Sequence, residues 1–260
     1  MGRAPALLRT TRGRVAAIAA QLAAVGLYTA FGGELFGMRT SLDVAVIGFL
    51  VIPAVFAFVW LVLPWRDSRW LLPGAFGLVA LALLLRAFGL ETLFDLAKLA
   101  ALTAIGFWFL SVFEELWWTV LVALIIPWVD AASVWRGPTD YVVSEKPGLF
   151  EELAFGFRVP GEDAFAHLGP PDVLFFALFL AGAARFGLRP GWTWIGMTFG
   201  LGLTLVITVW ANVAGLPALP AISLGFLVPN ADLLWHRLRN RDRGGDRRVQ
   251  SGMDGGGDRP

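Results

Sequence analysis

Read for apolar and polar positions, the chain divides into eight apolar runs separated by short charged breaks. They cover Val15 to about Gly33, Val44 to Pro64, Trp70 to about Leu85, and Phe94 to Phe113. The remaining four cover Leu116 to about Val134, Gly169 to about Ala184, Trp192 to about Val213, and Leu216 to Trp235. Each approaches the ~20 residues that a helix needs to cross about 30 Å of hydrocarbon. The pattern predicts an all-α polytopic membrane protein with about eight transmembrane helices. Residues 1–14 form a basic N-terminus, and the run after them reads as an uncleaved first span rather than a signal peptide. Residues 15–113 make an N-terminal four-helix part and 114–236 a C-terminal part. Residues 237–260 are a basic tail expected to be disordered. Between the fifth and sixth runs, residues 135–168 carry Asp140, Glu145, Glu151, Glu152, Glu162 and Asp163 among three prolines and read as an aqueous loop.

Composition agrees: 57% of the residues are hydrophobic and the mean hydropathy is +0.68, well above the soluble norm. The net charge of +1 decides little; the placement of the charges decides more. Arginines crowd both termini, and Arg66, Arg69, Arg185 and Arg189 fall in loops on the same side of an eight-span chain, whereas the acidic loop falls opposite. The positive-inside rule then puts both termini in the cytoplasm and the 135–168 loop outside. Arg86 and Lys98, on the outer side, run against the rule. No cysteine is present, which excludes thiol chemistry, and His167 and His236 are the only histidines, so a multi-histidine metal site is not expected. Nothing calls for a cofactor or for nucleic acid. Trp117, Trp118, Trp128, Trp135, Trp192 and Trp194 read as interfacial belt residues.

Two acids stand out against this background. Asp130 lies near the outer end of the fifth run and Asp172 near the outer start of the sixth. An acidic residue in a hydrocarbon-length run is expensive to keep and marks a functional site by default. Taken singly, each could be a hydrated helix-end carboxylate, and Gly169-Pro170-Pro171-Asp172 has the form of a turn followed by an acidic first helical turn. Taken together, antiparallel neighbouring helices would bring them to one depth. Two carboxyl groups in a poorly solvated site hold one proton between them, so one can act as base toward water and the other as acid toward a peptide carbonyl.

Around these acids the sequence resembles presenilin and signal peptide peptidase, the GxGD-type intramembrane aspartyl proteases. The resemblance rests on Val129-Asp130 followed by Ala132-Ser133-Val134-Trp135, on Leu168-Gly169-Pro170-Pro171-Asp172, and on Pro217-Ala218-Leu219, an intact Pro-Ala-Leu motif. It covers roughly residues 116–235. Val129 stands where the family has tyrosine, Pro171 where it has glycine, and eight spans where it has nine. The resemblance implies a prokaryotic plasma-membrane homologue in which Asp130 and Asp172 are the catalytic pair. Gly169, Pro217, Ala218 and Leu219 would bind substrate, and the partners would be transmembrane helices of type II or signal-peptide-like character. His167, near Asp172, reads as a solvated loop residue. Competing readings are a proton- or cation-coupled transporter, an inactive membrane-helix binder, and, on Glu114-Glu115 and Glu151-Glu152, a glutamate-dependent protease of the CAAX-processing type. The last lacks the histidines that such a site needs.

Overall fold

The computed structural model describes residues 10–31, 40–136, 154–158, 165–211 and 216–240. The basic tail beyond 240, Arg3, Arg9 and the acidic cluster of the 135–168 segment lie outside the described residues. Helix α1 spans Thr11–Phe31, α2 Thr40–Val46, α3 Ile52–Val62, α4 Leu71–Ala87, α5 Glu91–Leu110 and α6 Leu116–Arg136. Strands β1 (Phe155–Arg158) and β2 (Phe165–Leu168) follow, then α7 (Pro170–Arg185), α8 (Pro190–Trp210) and α9 (Leu219–Leu227). A single-turn 3-10 segment, Val228–Asn230, leads from α9 into helix over 231–240.

Helix is the only way such apolar runs can satisfy their backbone groups without water. Outside α6, several prolines sit where a missing N–H does least harm. Pro170, Pro190 and Pro220 occupy first turns. Pro53 is accommodated by a π turn over Ile47–Val51, where the Ile52 N–H reaches back five residues to the Ile47 carbonyl and joins α2 to α3 as one rod. Among the described residues, four helices are long and apolar enough to cross a membrane: Leu42–Trp65, Glu91–Leu110, Leu116–Val134 and Pro190–Trp210; α4 is a shorter apolar helix. The protein is thus helical and of membrane type, and the limits of its first seven helical rods fall within about four residues of the apolar runs.

Helix α7 is the centre of the bundle. Val173, Phe176 and every residue from Ala177 to Ala183 are buried, the signature of a helix covered on all sides. Phe176 stacks on Phe56 of α3 at 3.9 Å and Phe179 on Phe226 of α9 at 5.1 Å. Small residues let backbones approach, as in membrane helix pairs generally. A Cβ on Gly106 of α5 would lie 2.5 Å from the Leu174 carbonyl oxygen, and one on Gly225 of α9 would lie 2.4 Å from the Met197 nitrogen of α8. Gly182 of α7 meets Thr119 of α6, so α6 runs antiparallel to α7, while Arg185 reaching the Leu110 carbonyl makes α5 parallel to it. Both halves of the chain share one core.

Two expectations need correction, on the 135–168 segment and on Trp194. The 135–168 segment is not loop throughout: residues 155–158 pair antiparallel with 165–168, in the register Phe155 to Leu168, and Ala154, Phe155 and Leu168 are buried in the core. The reason is local, since apolar residues (Phe155 and Phe157, then Phe165 and Leu168) stand on both sides of the acidic Glu162-Asp163 pair. Lys98 does not cross lipid unpaired. Its Nζ donates to the Ala154 carbonyl at 2.6 Å, pairs with Asp95 at 2.8 Å and lies 4.3 Å from the Phe94 ring centroid. Arg86 lies over the same ring at 5.3 Å. Both cations are therefore engaged with the protein and are not free loop charges. Trp194 is not a belt residue, because its indole N–H donates to the Phe56 carbonyl at 3.0 Å inside the bundle. Trp118, Trp128 and Trp192 are exposed as expected; the side chains of Trp135 and His167 lie outside the described residues.

Candidate active site

Three helix segments converge at one end of the bundle: the last third of α6, the first turn of α7 and the entry to α9. Asp130 is six residues short of the end of α6, and Pro127 precedes it by three. Proline in a helix interior deprives the carbonyl four residues back of its donor, so the ladder is loosened immediately before the acid.

The Asp130 carboxylate accepts the Leu219 backbone N–H at 3.0 Å, across 89 residues of sequence, and the Ala218 N–H is directed at it as well. This bond completes the accounting of the α9 N-terminus. Leu219 donates to Asp130, Pro220 has no N–H, and Ala221 and Ile222 both donate to the Ala218 carbonyl at 3.1 and 3.2 Å. A carboxylate from another helix thus does the work of an N-cap, where the positive end of the helix dipole favours an anion.

Asp172 is the third residue of α7. Its Oδ2 accepts the Gly169 N–H at 3.0 Å while its own N–H donates to the Gly169 carbonyl at 3.1 Å. Pro170 and Pro171 fill the first two helical positions, whose N–H groups have no helical partner in any residue type, so Pro171 removes no hydrogen bond from the site. Gly169 has φ −65° and ψ 148°, an extended conformation open to every residue. What its lack of a side chain provides is room: a Cβ there would be 3.2 Å from Asp172 Oδ2.

Asp130 and Asp172 are both half-buried, and their charges interact. The structure therefore brings Asp130, Asp172, Gly169, Ala218 and Leu219 to one place, with Pro217 adjoining in the non-helical 216–218 stretch. A further acid, Asp43, is not apparent from the apolar pattern: it is 1% exposed in α2 with Oδ1 unpartnered, within electrostatic reach of Tyr28. Its signal was an acid directly before the second apolar run. It belongs to the side of the bundle where α2 meets α8. Among the described residues, no group of three or more acidic or histidine side chains is placed to hold a metal. No protein-family model matches the sequence, and no curated protein matches it significantly.

Proposed function

We propose that the chain is an eight-span intramembrane aspartyl protease of the presenilin and signal-peptide-peptidase type, with both termini cytoplasmic and its active site near the outer surface of a prokaryotic plasma membrane. The observation that carries the reading is the convergence of Asp130, Asp172 and the Pro217-Ala218-Leu219 segment, which are far apart in sequence. Counting α2 with α3 and α9 with residues 228–240, the described helices make eight rods, which supports the span count. Helix α6 supports access from lipid, for only 17% of its apolar span is covered by protein.

In this reading one carboxyl group is ionised and its partner holds the shared proton. The ionised group takes a proton from a water molecule as the water oxygen attacks the scissile carbonyl carbon, and the protonated group gives its proton to the carbonyl oxygen. The tetrahedral diol then collapses: the C–N bond breaks, and a proton passes to the leaving amine. Backbone N–H groups fix both side chains, Leu219 donating to Asp130 Oδ2 and Gly169 to Asp172 Oδ2, and lone pairs not so engaged carry this chemistry. The non-helical 216–218 backbone can pair with an unwound substrate as an added strand. Substrates are transmembrane helices of type II or signal-peptide-like form.

The two backbone bonds also favour a second reading, in which the aspartates are helix caps in a non-proteolytic membrane-helix binder. Substitution separates the two. Asparagine keeps the acceptor oxygen of the cap and removes the acid–base function. In liposomes holding a reporter transmembrane helix, Asp130→Asn and Asp172→Asn are expected to lose about 10²–10⁴-fold in cleavage rate while melting close to wild type. Cleavage at the wild-type rate in either variant would sink the protease reading. A folded wild type that never cleaves, or that shows ion-coupled flux, would replace it with the binder or a transporter.

A further inference from the structure

At the opposite end of the bundle, the turn between α3 and α4, the start of α4 and the ends of α5 and α7 enclose a half-open cavity of about 500 Å³ that the proposed chemistry does not use. That volume falls within the range of about 300–1,000 Å³ typical of small-molecule sites. Its polar wall is made by Arg66 and Arg69, in the turn before α4, by Arg185 at the end of α7, and by Ser68 and Ser111.

The charge in this cavity is unbalanced. One carboxylate lines it, Asp67, which lies 3.3 Å from Arg66 Nε on a side chain that is 60% exposed. The Arg66 Nε is shielded from solvent with no acceptor in hydrogen-bond geometry, while its Nη1 donates to the Leu63 carbonyl at 3.4 Å, so the guanidinium is anchored with donors to spare. Arg69 rests 5.5 Å from the Trp70 ring centroid and has no carboxylate partner among the described residues. Arg185 spends one N–H on the Leu110 carbonyl at 2.9 Å, which caps α5 and holds the guanidinium in place. Arginine forks match phosphate oxygens in geometry as well as charge, and the two serine hydroxyls add neutral donors.

We propose that this cavity binds a phosphate group at the inner membrane surface, carried by an anionic phospholipid headgroup or by a soluble phosphate ester. Basic pockets between membrane helices on the cytoplasmic side are a recognised form of headgroup site. The apolar surroundings suit the lipid source: Trp70 is exposed beside the arginines, and Phe76, Leu83 and Leu84 of α4 are exposed farther along, a surface along which acyl chains can lie. The inference depends on which end of the bundle is cytoplasmic and is independent of proteolysis.

The test titrates the purified full chain in detergent with phosphatidylglycerol labelled on an acyl chain, read by fluorescence anisotropy, with phosphatidylcholine as the neutral competitor. Arg69→Gln, which removes no fold contact beyond the Trp70 ring, is expected to weaken binding about fivefold. Arg66→Gln with Arg69→Gln should weaken it about 25-fold, from the contribution of each arginine to anionic lipid attraction. Arg237→Gln serves as control, being exposed in the C-terminal 231–240 helix but outside the cavity, and should bind as wild type does. Glycerol phosphate and inorganic phosphate are added as competitors. Displacement by either at millimolar concentration assigns the site to soluble phosphates as well, and displacement by phosphatidylglycerol alone assigns it to the lipid. Equal binding by the double variant and wild type would overturn the proposal, as would an equal loss in Arg237→Gln, which would reduce the effect to diffuse surface charge.

Discussion

Gly106→Ala tests whether the packing of α5 on α7 sets the position of Asp172. The added Cβ would lie 2.5 Å from the Leu174 carbonyl oxygen, 2.9 Å from Ala177 Cβ and 3.3 Å from the Leu178 nitrogen, where ordinary contact begins near 3.4 Å. The first of these atoms is backbone and cannot swing aside, so α5 and α7 must part by about 0.9 Å at this level. Overpacking of this kind costs roughly 1–3 kcal/mol, offset in part by the better helix propensity of alanine. The displaced element is the N-terminal part of α7, and Asp172 is two residues from Leu174. A misplacement of about 1 Å in a reacting group can lower a rate about 10²-fold. The expected result is therefore a folded variant, modestly less stable in a detergent melt, whose reporter-helix cleavage falls by about that factor. Gly77→Ala is the control, because a Cβ there meets nothing within 4 Å; it should be neutral or slightly stabilising and fully active. Wild-type stability and rate in Gly106→Ala, or an equal loss in Gly77→Ala, would refute the reasoning.

Other expectations follow from the same contacts. Gly169→Ala places a Cβ 3.2 Å from Asp172 Oδ2 at a backbone conformation alanine accepts; cleavage should fall more than tenfold with a melting shift worth less than about 1 kcal/mol. Cleavage should follow a bell-shaped pH profile, lost at low pH as the base carboxylate of the pair is protonated and at high pH as the acid is ionised. A flat profile between pH 4 and 9 would exclude a shared proton. Lys98→Met removes the donor to the Ala154 carbonyl and the ion pair with Asp95, a loss of about 1.5–3 kcal/mol for a charged hydrogen bond. Hydrogen exchange across 155–158 and 165–168 should rise before that of α7 does, and uniform exchange would show that Lys98 does not anchor the hairpin.

Much of this protein is legible in its sequence because the bilayer imposes a strong local rule. A run near twenty apolar residues must be helical to satisfy its own backbone, and the breaks at Arg66–Arg69, Glu114-Glu115 and Arg185–Pro190 mark where the described helices turn. The two acids are legible for the same reason, since Asp130 and Asp172 are conspicuous only against an apolar background. The Gly169-Pro170-Pro171-Asp172 turn was readable because proline and acid preferences in a first helical turn are local physics.

Tertiary structure alone decided the rest. In an apolar span the lipid-facing and core-facing positions are equally hydrophobic, so nothing in the pattern distinguishes Phe56, fully buried, from Phe49, exposed, or shows that α7 is the central rod. Small residues mark close helix approach without naming the partner, and Gly106 meets α7 only because α5 lies parallel to it. Lys98 reads as a membrane charge until the hairpin carbonyl it binds is in place. The decisive case is the bond from the Leu219 N–H to Asp130. Sequence determined that a carboxylate and a proline-bounded helix start both exist; a backbone donor carries no residue-specific signal, so only the packing of α6 against α9 could determine that they meet.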